Sequence, residues 1–303
     1  HSFIASLLGI KHIIVAINKM DLVDFSGSVF NEIKADYVKF SENLDSTNFH
    51  FIPMSALTGD NVVNPSEQMP WYDGGALMSL LENVEIAGDK NYSDFRFPVQ
   101  YVNRPNLNFR GFCGTVASGV IRKGDEVIVL PSNKTSRIKS IVTYDEELEL
   151  AHADMAITLT LEDEIDVSRG DILAHPENIP ANDTTFDAII VWMADTPLLP
   201  GNAFDFKLGS KTVSGRIKAM HNRIDINTLE KGPAPGLELN EIGLAEINLN
   251  ETVCFDSYKD NRATGSFIIT DRLSNVTVGA GMIDFEQQPL RERSESAKNI
   301  VTK

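Results

Sequence analysis

The chain has 303 residues, of which 43 are Asp or Glu and 27 are Lys or Arg, so its formal net charge is −16. With 42% hydrophobic and 23% charged residues, it has the composition of a globular protein, which excludes disordered, collagen-like and disulfide-scaffold chains. The length predicts two or three domains. No apolar run approaches the ~18 residues of a membrane-spanning helix, so we expect no membrane crossing. The acidic balance also disfavours nucleic-acid binding through phosphate contacts.

The two cysteines, Cys113 and Cys254, lie far apart in the sequence, beside Phe112 and Phe255. An apolar or aromatic context is typical of a buried structural thiol, so we predict a reducing compartment and a cytoplasmic location. The six histidines show no H-x-x-x-H or Cys/His spacing. We therefore predict no metal site.

The first part of the chain, residues 1–90, alternates between helix and strand patterns. Apolar residues at steps of three and four predict the helices, and short apolar runs predict buried strands. The predicted elements are helices at 2–8, 30–40 and 77–84 and strands at 12–17 and 49–54. Their order implies a parallel sheet. Because the sequence begins inside a helix, we interpret this region as the end of an α/β domain, and the chain as a fragment that lacks the front of that domain.

Beyond residue 90 the pattern changes to short alternating strands, separated by Gly, Asn and Asp turns at the roughly 8–12-residue spacing of small barrels. The predicted strands are 97–101, 127–130, 138–142, 157–161, 186–192, 203–208, 215–220, 243–249, 267–270 and 276–283. A Pro-containing break at 175–183 divides these predicted strands into two groups. We therefore predict a multidomain α/β plus all-β chain, with β-barrel domains at 91–180 and 181–285 and a loosely held tail at 286–303.

The sharpest local feature is Asn18-Lys19-Met20-Asp21, which follows the first predicted strand. In an open α/β sheet, ligands bind at the carboxyl ends of the strands. A carboxylate at Asp21 can accept hydrogen bonds from the N1–H and N2–H groups of guanine. Asn18 can meet the O6/N7 side of the same base, and the stem of Lys19 can lie over its ring.

The second predicted strand ends in Ser55-Ala56-Leu57, whose backbone N–H groups can reach the guanine O6. We therefore predict that guanine is bound by the residues of both segments, namely Asn18, Lys19, Asp21, Ser55, Ala56 and Leu57. The competing interpretation is a turn or a helix cap. Asn-Lys-x-Asp arises by chance in roughly 4% of chains of this length, and its position at a strand end favours the guanine site.

These segments resemble the base-recognition half of a translation-factor-type GTPase domain. The resemblance implies that residues 1–90 are the C-terminal part of a P-loop GTPase domain. Residues 114–127 are similar to the opening hairpin of the second domain in that superfamily, with its turn at Gly124-Asp125, and residues 168–173 resemble its closing strand. Physically, Gly114 and Gly119 relieve crowding at bends of a barrel.

Within that superfamily the chain most closely resembles the large, GTP-binding subunit of bacterial sulfate adenylyltransferase (ATP sulfurylase), over residues 2 to about 285. The segments that carry this resemblance are 101–114, 239–243 and 271–283. Residues 101–114 distinguish this family from elongation factors best, because elongation factors have a shorter chain segment at that position.

The resemblance implies a partner. In that family a separate small catalytic subunit makes adenylyl sulfate and pyrophosphate from ATP and sulfate. The large subunit hydrolyses GTP, with Mg²⁺, to drive this reaction. The two subunits form a heterodimer or a larger assembly. The present sequence contains no G-x-x-x-x-G-K-[ST] phosphate loop. We therefore expect no catalytic residue in this chain, no GTP hydrolysis by it alone, and weak or no GDP binding.

Two other functions stay open. A translation elongation factor that binds aminoacyl-tRNA has the same base motif and barrels, but residues 103–113 and the acidic balance favour sulfate adenylyltransferase. The chain could also be an interaction scaffold without a nucleotide. Arg104 and Arg110 flank an aromatic loop, where salt bridges within the barrel are expected and a phosphate or partner contact is the alternative. The acidic runs at 145–149 and 162–164 are interpreted as solvated turns.

Overall fold

The computed structural model of the chain describes residues 2–42, 48–84, 90–106, 109–225, 228 and 230–284. The chain divides into two compact units, His1–Asp89 and Lys90–Lys303. None of the helices in the described ranges is both long enough and apolar enough to span a bilayer. The predicted tail at 286–303 lies outside the described residues.

The first unit is an α/β structure. Its described elements are α1 (Ser2–Leu7), β1 (His12–Ile17), a 3₁₀ helix (Met20–Val23), α2 (Gly27–Ser41), β2 (Asn48–Pro53) and α3 (Leu77–Asn83). The two strands pair in parallel, with His12 opposite Asn48 and Ile17 opposite Pro53. A parallel pair needs a crossover connection, which α2 provides. The predicted α/β order is confirmed.

Helix α2 covers one face of this sheet because its apolar residues recur at helical spacing. Phe30 is buried in a cluster with Ile17 and Met20. The Tyr37 ring contacts Phe49 and Phe51 of β2, with centroid distances of 5.5 and 5.6 Å. The parallel pairing beneath this helix places the carboxyl ends of β1 and β2 side by side.

The second unit begins with a half-barrel. Its strands are β3 (Arg96–Pro98), β4 (Tyr101–Asn106), β5 (Phe109–Thr115), β6 (Val120–Arg122), β7 (Glu126–Leu130), β8 (Lys134–Val142), β9 (Glu147–Leu148), β10 (Leu150–His152), β11 (Ala156–Leu161) and β12 (Ile172–Ala174). The main sheet has the order β3-β12-β7-β8-β11-β5-β4, with β9 beside β8, and β6 pairs separately with β10. Its core contains Phe97, Phe112 and Leu159. Residues 101–114, which the sequence analysis predicted to be the most discriminating segment, lie largely in β4 and β5.

Gly124-Asp125 forms a turn, as predicted. The prediction that this turn joins two paired strands in a hairpin is wrong. The Asp125 N–H donates to the Arg122 carbonyl at 3.2 Å, and Gly124 has a φ of 86°. However, β6 pairs with β10, whereas β7 pairs with β8 and β12. The turn residues determine a local reversal of the chain, but they do not determine which strand pairs with which.

Gly114 and Gly119 have the predicted steric role. A Cβ at Gly114 would lie 2.5 Å from the Pro98 carbonyl oxygen, and one at Gly119 would lie 2.3 Å from Cα of Phe95. Gly119 also has a φ of 78°, a conformation that other residues rarely adopt. Both glycines therefore allow two backbone segments of the half-barrel to approach closely.

A closed barrel follows in the same unit. Its strands are β13 (Ala181–Trp192), β14 (Ala203–Leu208), β15 (Lys211–Ile224), β16 (Lys231–Gly232), β17 (Ile242–Phe255), β18 (Ser266–Thr270) and β19 (Thr277–Ile283). Six of these described strands close in the order β14-β18-β19-β13-β17-β15, with β15 returning to β14, while β16 extends β15. Strands β13, β15 and β17 are longer than predicted, because bulges interrupt the alternation by which strand ends are recognised.

The half-barrel and the closed barrel are joined by a buried ion pair. The guanidinium of Arg96, at the start of β3, donates to both carboxylate oxygens of Asp256, which directly follows β17, at 3.0–3.2 Å. It also donates to the carbonyls of Phe95 and Asn178 at 2.9 and 2.8 Å. The Arg96 side chain is only 3% exposed, so these groups replace its hydration.

Both cysteines are free thiols in partly buried positions. Sγ of Cys113 lies 3.3 Å from Oγ1 of Thr158. Cys254 packs against a small buried cluster from β7 and β12, and burial raises the pKa of its thiol to about 12. A thiol that stays protonated at neutral pH is a poor nucleophile, so this environment is structural, as predicted.

Candidate functional site

Two polar loops lie at the carboxyl ends of β1 and β2. Asn18 directly follows β1, and Ser55 comes two residues after β2. Two backbone hydrogen bonds tie the loops together: Met20 N–H donates to the Met54 carbonyl at 3.2 Å, and Met54 N–H donates to the Ile17 carbonyl at 2.9 Å. Both predicted segments are therefore adjacent at one edge of the sheet, where ligands bind in α/β folds.

The Asn18 side chain bridges the two loops. Its Oδ1 accepts hydrogen bonds from the backbone N–H groups of Lys19 at 2.7 Å and Ala56 at 3.0 Å. The Ala56 N–H is thus used within the protein and is not directed at a ligand, in contrast to the predicted contact with guanine O6. With Oδ1 occupied, the Nδ2 amide of Asn18 is the part that can donate to acceptors of a bound base.

The Asp21 carboxylate is oriented by the buried Ser55. The Ser55 hydroxyl donates to Oδ1 of Asp21 at 2.6 Å and accepts from the Thr58 N–H at 3.3 Å. A carboxylate has about four lone-pair sites, so Asp21 keeps acceptor capacity for a pair of donors. The sequence predicted Ser55 through its backbone, whereas the structure shows its side chain as the partner of Asp21.

Lys19 and Leu57 are exposed, as are Asn18 and Ala56 of the predicted set. Lys19 has a left-handed backbone conformation, with φ 66° and ψ 34°. Such conformations are uncommon outside glycine and concentrate at functional sites. Leu57 is 86% exposed, so its side chain contributes little to the fold. Both side chains are accessible to a ligand at this edge.

A further set of residues, which sequence reasoning missed, orders the loop after β2. The Ser55 N–H donates to the Asp60 carbonyl at 3.2 Å. Hydrogen bonds from Ser66 and Thr58 lower the pKa of the Asp60 carboxyl. The buried Asn61 donates to the end of β2 and accepts from the Ser66 N–H. The signal in the sequence was the run of Thr, Gly, Asp and Asn that favours side-chain–backbone turns.

The chemistry of this edge is that of a hydrogen-bonding surface. In the part of the chain that the structure describes, no three His, Cys, Asp or Glu side chains are grouped to hold a metal. The edge instead presents an amide donor, a carboxylate acceptor and an exposed aliphatic stem. These groups match the edge and the face of a planar heterocycle.

Comparison with known proteins decides the family. The family model of the elongation factor Tu GTP binding domain matches residues 1–91, and the GTP-eEF1A C-terminal domain-like model matches residues 185–284. Sulfate adenylyltransferase subunit 1 of Cellvibrio japonicus is 58% identical over 283 residues. The same subunit of Chromobacterium violaceum is 57% identical over 284 residues. The chain belongs to the sulfate adenylyltransferase subunit 1 family. The resemblance stated from the sequence is therefore confirmed.

The match to this family covers 93% of the chain, but the chain spans only 60% of the length of these two relatives. Among solved structures, Sup35 complexed with GDP is similar, with a TM-score of 0.61, 24% identity and coverage of 94% of this chain and 72% of that one. At this identity the likeness shows the fold alone. It supports a translation-factor-like GTPase fold for this family member, as the sequence predicted.

Proposed function

We propose that this chain acts in the GTP-binding subunit of sulfate adenylyltransferase and that its two polar loops hold the guanine base. The observation that carries the proposal is the Asp21 carboxylate, which Ser55 orients at the sheet edge. Guanine presents N1–H and N2–H as adjacent donors, and a carboxylate is the matching acceptor. Adenine has no such pair of donors on that edge, so the arrangement favours guanine.

The other residues of the site have separate roles in this proposal. The Nδ2 amide of Asn18 donates to the O6/N7 side of the base, and Ala56 fixes the orientation of Asn18 through its N–H. The stem of Lys19 covers one face of the ring, and Leu57 is available for apolar contact. Ser55 acts through Asp21 and is a positioning residue.

The activity of the whole protein is part of the same proposal. GTP hydrolysis, with Mg²⁺, would drive the formation of adenylyl sulfate and pyrophosphate from ATP and sulfate on a small catalytic subunit. The name of the relatives, subunit 1, supports the existence of a partner chain. The free, structural thiols support a cytoplasmic location. Family membership favours this function over the elongation-factor and scaffold alternatives.

We expect this chain alone to release no phosphate from GTP above the buffer background. Its sequence contains no phosphate loop, so no Lys contacts the β- and γ-phosphates and no Ser or Thr of that loop binds Mg²⁺. A phosphate-release assay with the purified chain measures this. GTP turnover in proportion to the concentration of the chain would contradict it.

Base recognition is testable on the chain with three nucleoside diphosphates. We expect GDP to bind more weakly than micromolar, because much of the affinity of such ligands comes from phosphate and Mg²⁺ contacts. Inosine diphosphate lacks the N2 amino group, and a hydrogen bond to a charged group contributes about 1.5–3 kcal/mol. It should therefore bind at least about tenfold more weakly than GDP, and ADP should bind more weakly still. NMR titration gives the three dissociation constants.

The resonances of Asn18, Asp21 and Ser55 locate the binding in the same titration. Equal affinity for GDP and ADP, or shifts confined to other residues, would contradict the proposed site. The absence of any GDP-dependent shift at millimolar concentration would show that these loops do not hold the base in this chain.

A further inference from the structure

A second candidate site is a cavity of about 270 Å³ in the half-barrel. It lies where the β4–β5 hairpin meets β8 and β11. Small-molecule sites usually measure about 300–1,000 Å³, so this cavity is slightly smaller than most and could enclose only a small ligand. The proposed guanine site does not use it.

One wall of the cavity is aromatic. Phe109, the first residue of β5, is half-buried, and its ring packs across Gly111. A Cβ at Gly111 would lie 2.7 Å from Cε1 of Phe109 and 2.5 Å from Cγ2 of Thr158. Because Gly111 has no side chain, the Phe109 ring can pack against the sheet at that position. The ring also lines the cavity.

Three cations, Arg104, Arg110 and Lys139, line the cavity. Arg104 and Lys139 are exposed and have no ion-pair partner among the described residues. Arg110 differs, because its Nη1 donates to the Ile165 carbonyl at 3.0 Å and its guanidinium lies 5.5 Å from the Phe112 ring centroid. Nη2 of Arg110 also lies 4.0 Å from Oδ1 of Asp166, so Arg110 makes the salt bridge within the barrel that the sequence predicted, whereas Arg104 makes none among the described residues.

Hydroxyl and carboxylate groups complete the lining. The Ser140 and Thr160 hydroxyls are hydrogen-bonded to each other at 2.6 Å, and each keeps capacity for another partner. Glu162, Asp163 and Glu164 also line the cavity. These three carboxylates balance the three cations of the lining in formal charge, which disfavours a bare anion such as sulfate. A ligand that combines an anionic group with hydrogen-bond donors fits better.

We propose that this cavity binds a purine nucleoside monophosphate. The base stacks on Phe109, as bases do on aromatic side chains in proteins. The phosphate lies at Arg104 and Lys139, since Lys and Arg are the usual phosphate partners. The ribose hydroxyls donate to Glu162 or Glu164. The Ser140–Thr160 pair both donates and accepts, so it suits the mixed edge of a purine.

The test is a calorimetric titration of the chain with AMP, adenosine and ribose 5-phosphate. We expect AMP to bind at least tenfold more tightly than either fragment, because each fragment lacks one of the two anchors. Phe109→Leu, which removes the ring but keeps an apolar side chain, should weaken AMP binding about tenfold or more. Lys139→Gln should weaken AMP binding and its salt dependence but leave adenosine binding unchanged. Arg122→Gln, on β6 and outside the cavity, is the matched control.

Three results would overturn the proposal. AMP could fail to bind at millimolar concentration, or it could bind equally well to Phe109→Leu, Lys139→Gln and the control. Thirdly, Asp21→Asn could abolish AMP binding, which would place the ligand at the two polar loops. Because AMP and GDP are titrated separately, failure of this proposal and failure of the guanine site are distinguishable. Thermal unfolding of each variant confirms that it is folded.

Discussion

Arg96→Ala is expected to destabilise the second unit by about 3–5 kcal/mol, the usual cost of removing one partner from a buried ion pair. The variant leaves the carboxylate of Asp256, which is only 12% exposed, without its cation. It also removes the donors to the Phe95 and Asn178 carbonyls. Urea unfolding followed by circular dichroism measures the change as a lower midpoint of the transition.

The matched control is Arg223→Ala. Arg223 makes an ion pair with Glu241 at 2.5 Å within the closed barrel, but its side chain is 50% exposed. Exposed pairs contribute about 0–1 kcal/mol, so this variant should be nearly as stable as the parent chain. If both variants lowered the free energy of unfolding by similar amounts, burial of Arg96 would not explain the contribution of its ion pair to stability.

A double variant separates charge from packing at the same position. Arg96→Met with Asp256→Leu removes both charges together, and replacement of a whole buried pair by apolar residues is often neutral. We therefore expect it to recover much of the stability that Arg96→Ala loses. Arg96→Lys should not recover it, because an ammonium cannot reproduce the fork of donors that contacts Asp256 and Asn178.

Arg96 also shows where sequence reasoning stops. It lies between Phe95 and Phe97, and strict alternation along a strand places such a residue on the solvent face. In the structure that face is covered by the closed barrel, through a contact between residues 160 positions apart. Alternation predicts which residues share a face. It does not predict what covers that face.

The same limit explains the other differences from prediction. The turn at Gly124 was recognisable from local residues, but the pairing of β6 with β10 depends on a distant strand. The strands of the closed barrel were predictable from alternation until bulges interrupted it. The motif at Asn18 was recognisable because the residues are adjacent in the chain. The hydrogen bond from Ser55 to Asp21 joins residues 34 positions apart, and only the fold reveals it.

Asp21→Asn is expected to reverse the preference of the proposed guanine site. In the parent chain Oδ1 of Asp21 accepts from Ser55, and the rest of the carboxylate is left for the N1–H and N2–H groups of guanine. Asparagine can keep its Oδ1 towards Ser55, but it then presents an amide NH₂ to the base. The N1–H and N2–H donors of guanine would then face the NH₂ donor of the asparagine. Xanthine instead has a carbonyl at C2, which can accept a hydrogen bond from this NH₂.

With two hydrogen bonds to a charged group lost, each of about 1.5–3 kcal/mol, we expect GDP to bind at least about a hundredfold more weakly to Asp21→Asn. Xanthosine diphosphate should bind this variant more tightly than GDP does, and the ratio of the two dissociation constants from NMR titration measures the reversal. Asp24→Asn is the matched control, because Asp24 is exposed and its φ of 50° is one that asparagine tolerates. An unchanged ratio in Asp21→Asn, equal to that of Asp24→Asn, would mean that Asp21 does not read the base, and the guanine assignment would have to be withdrawn.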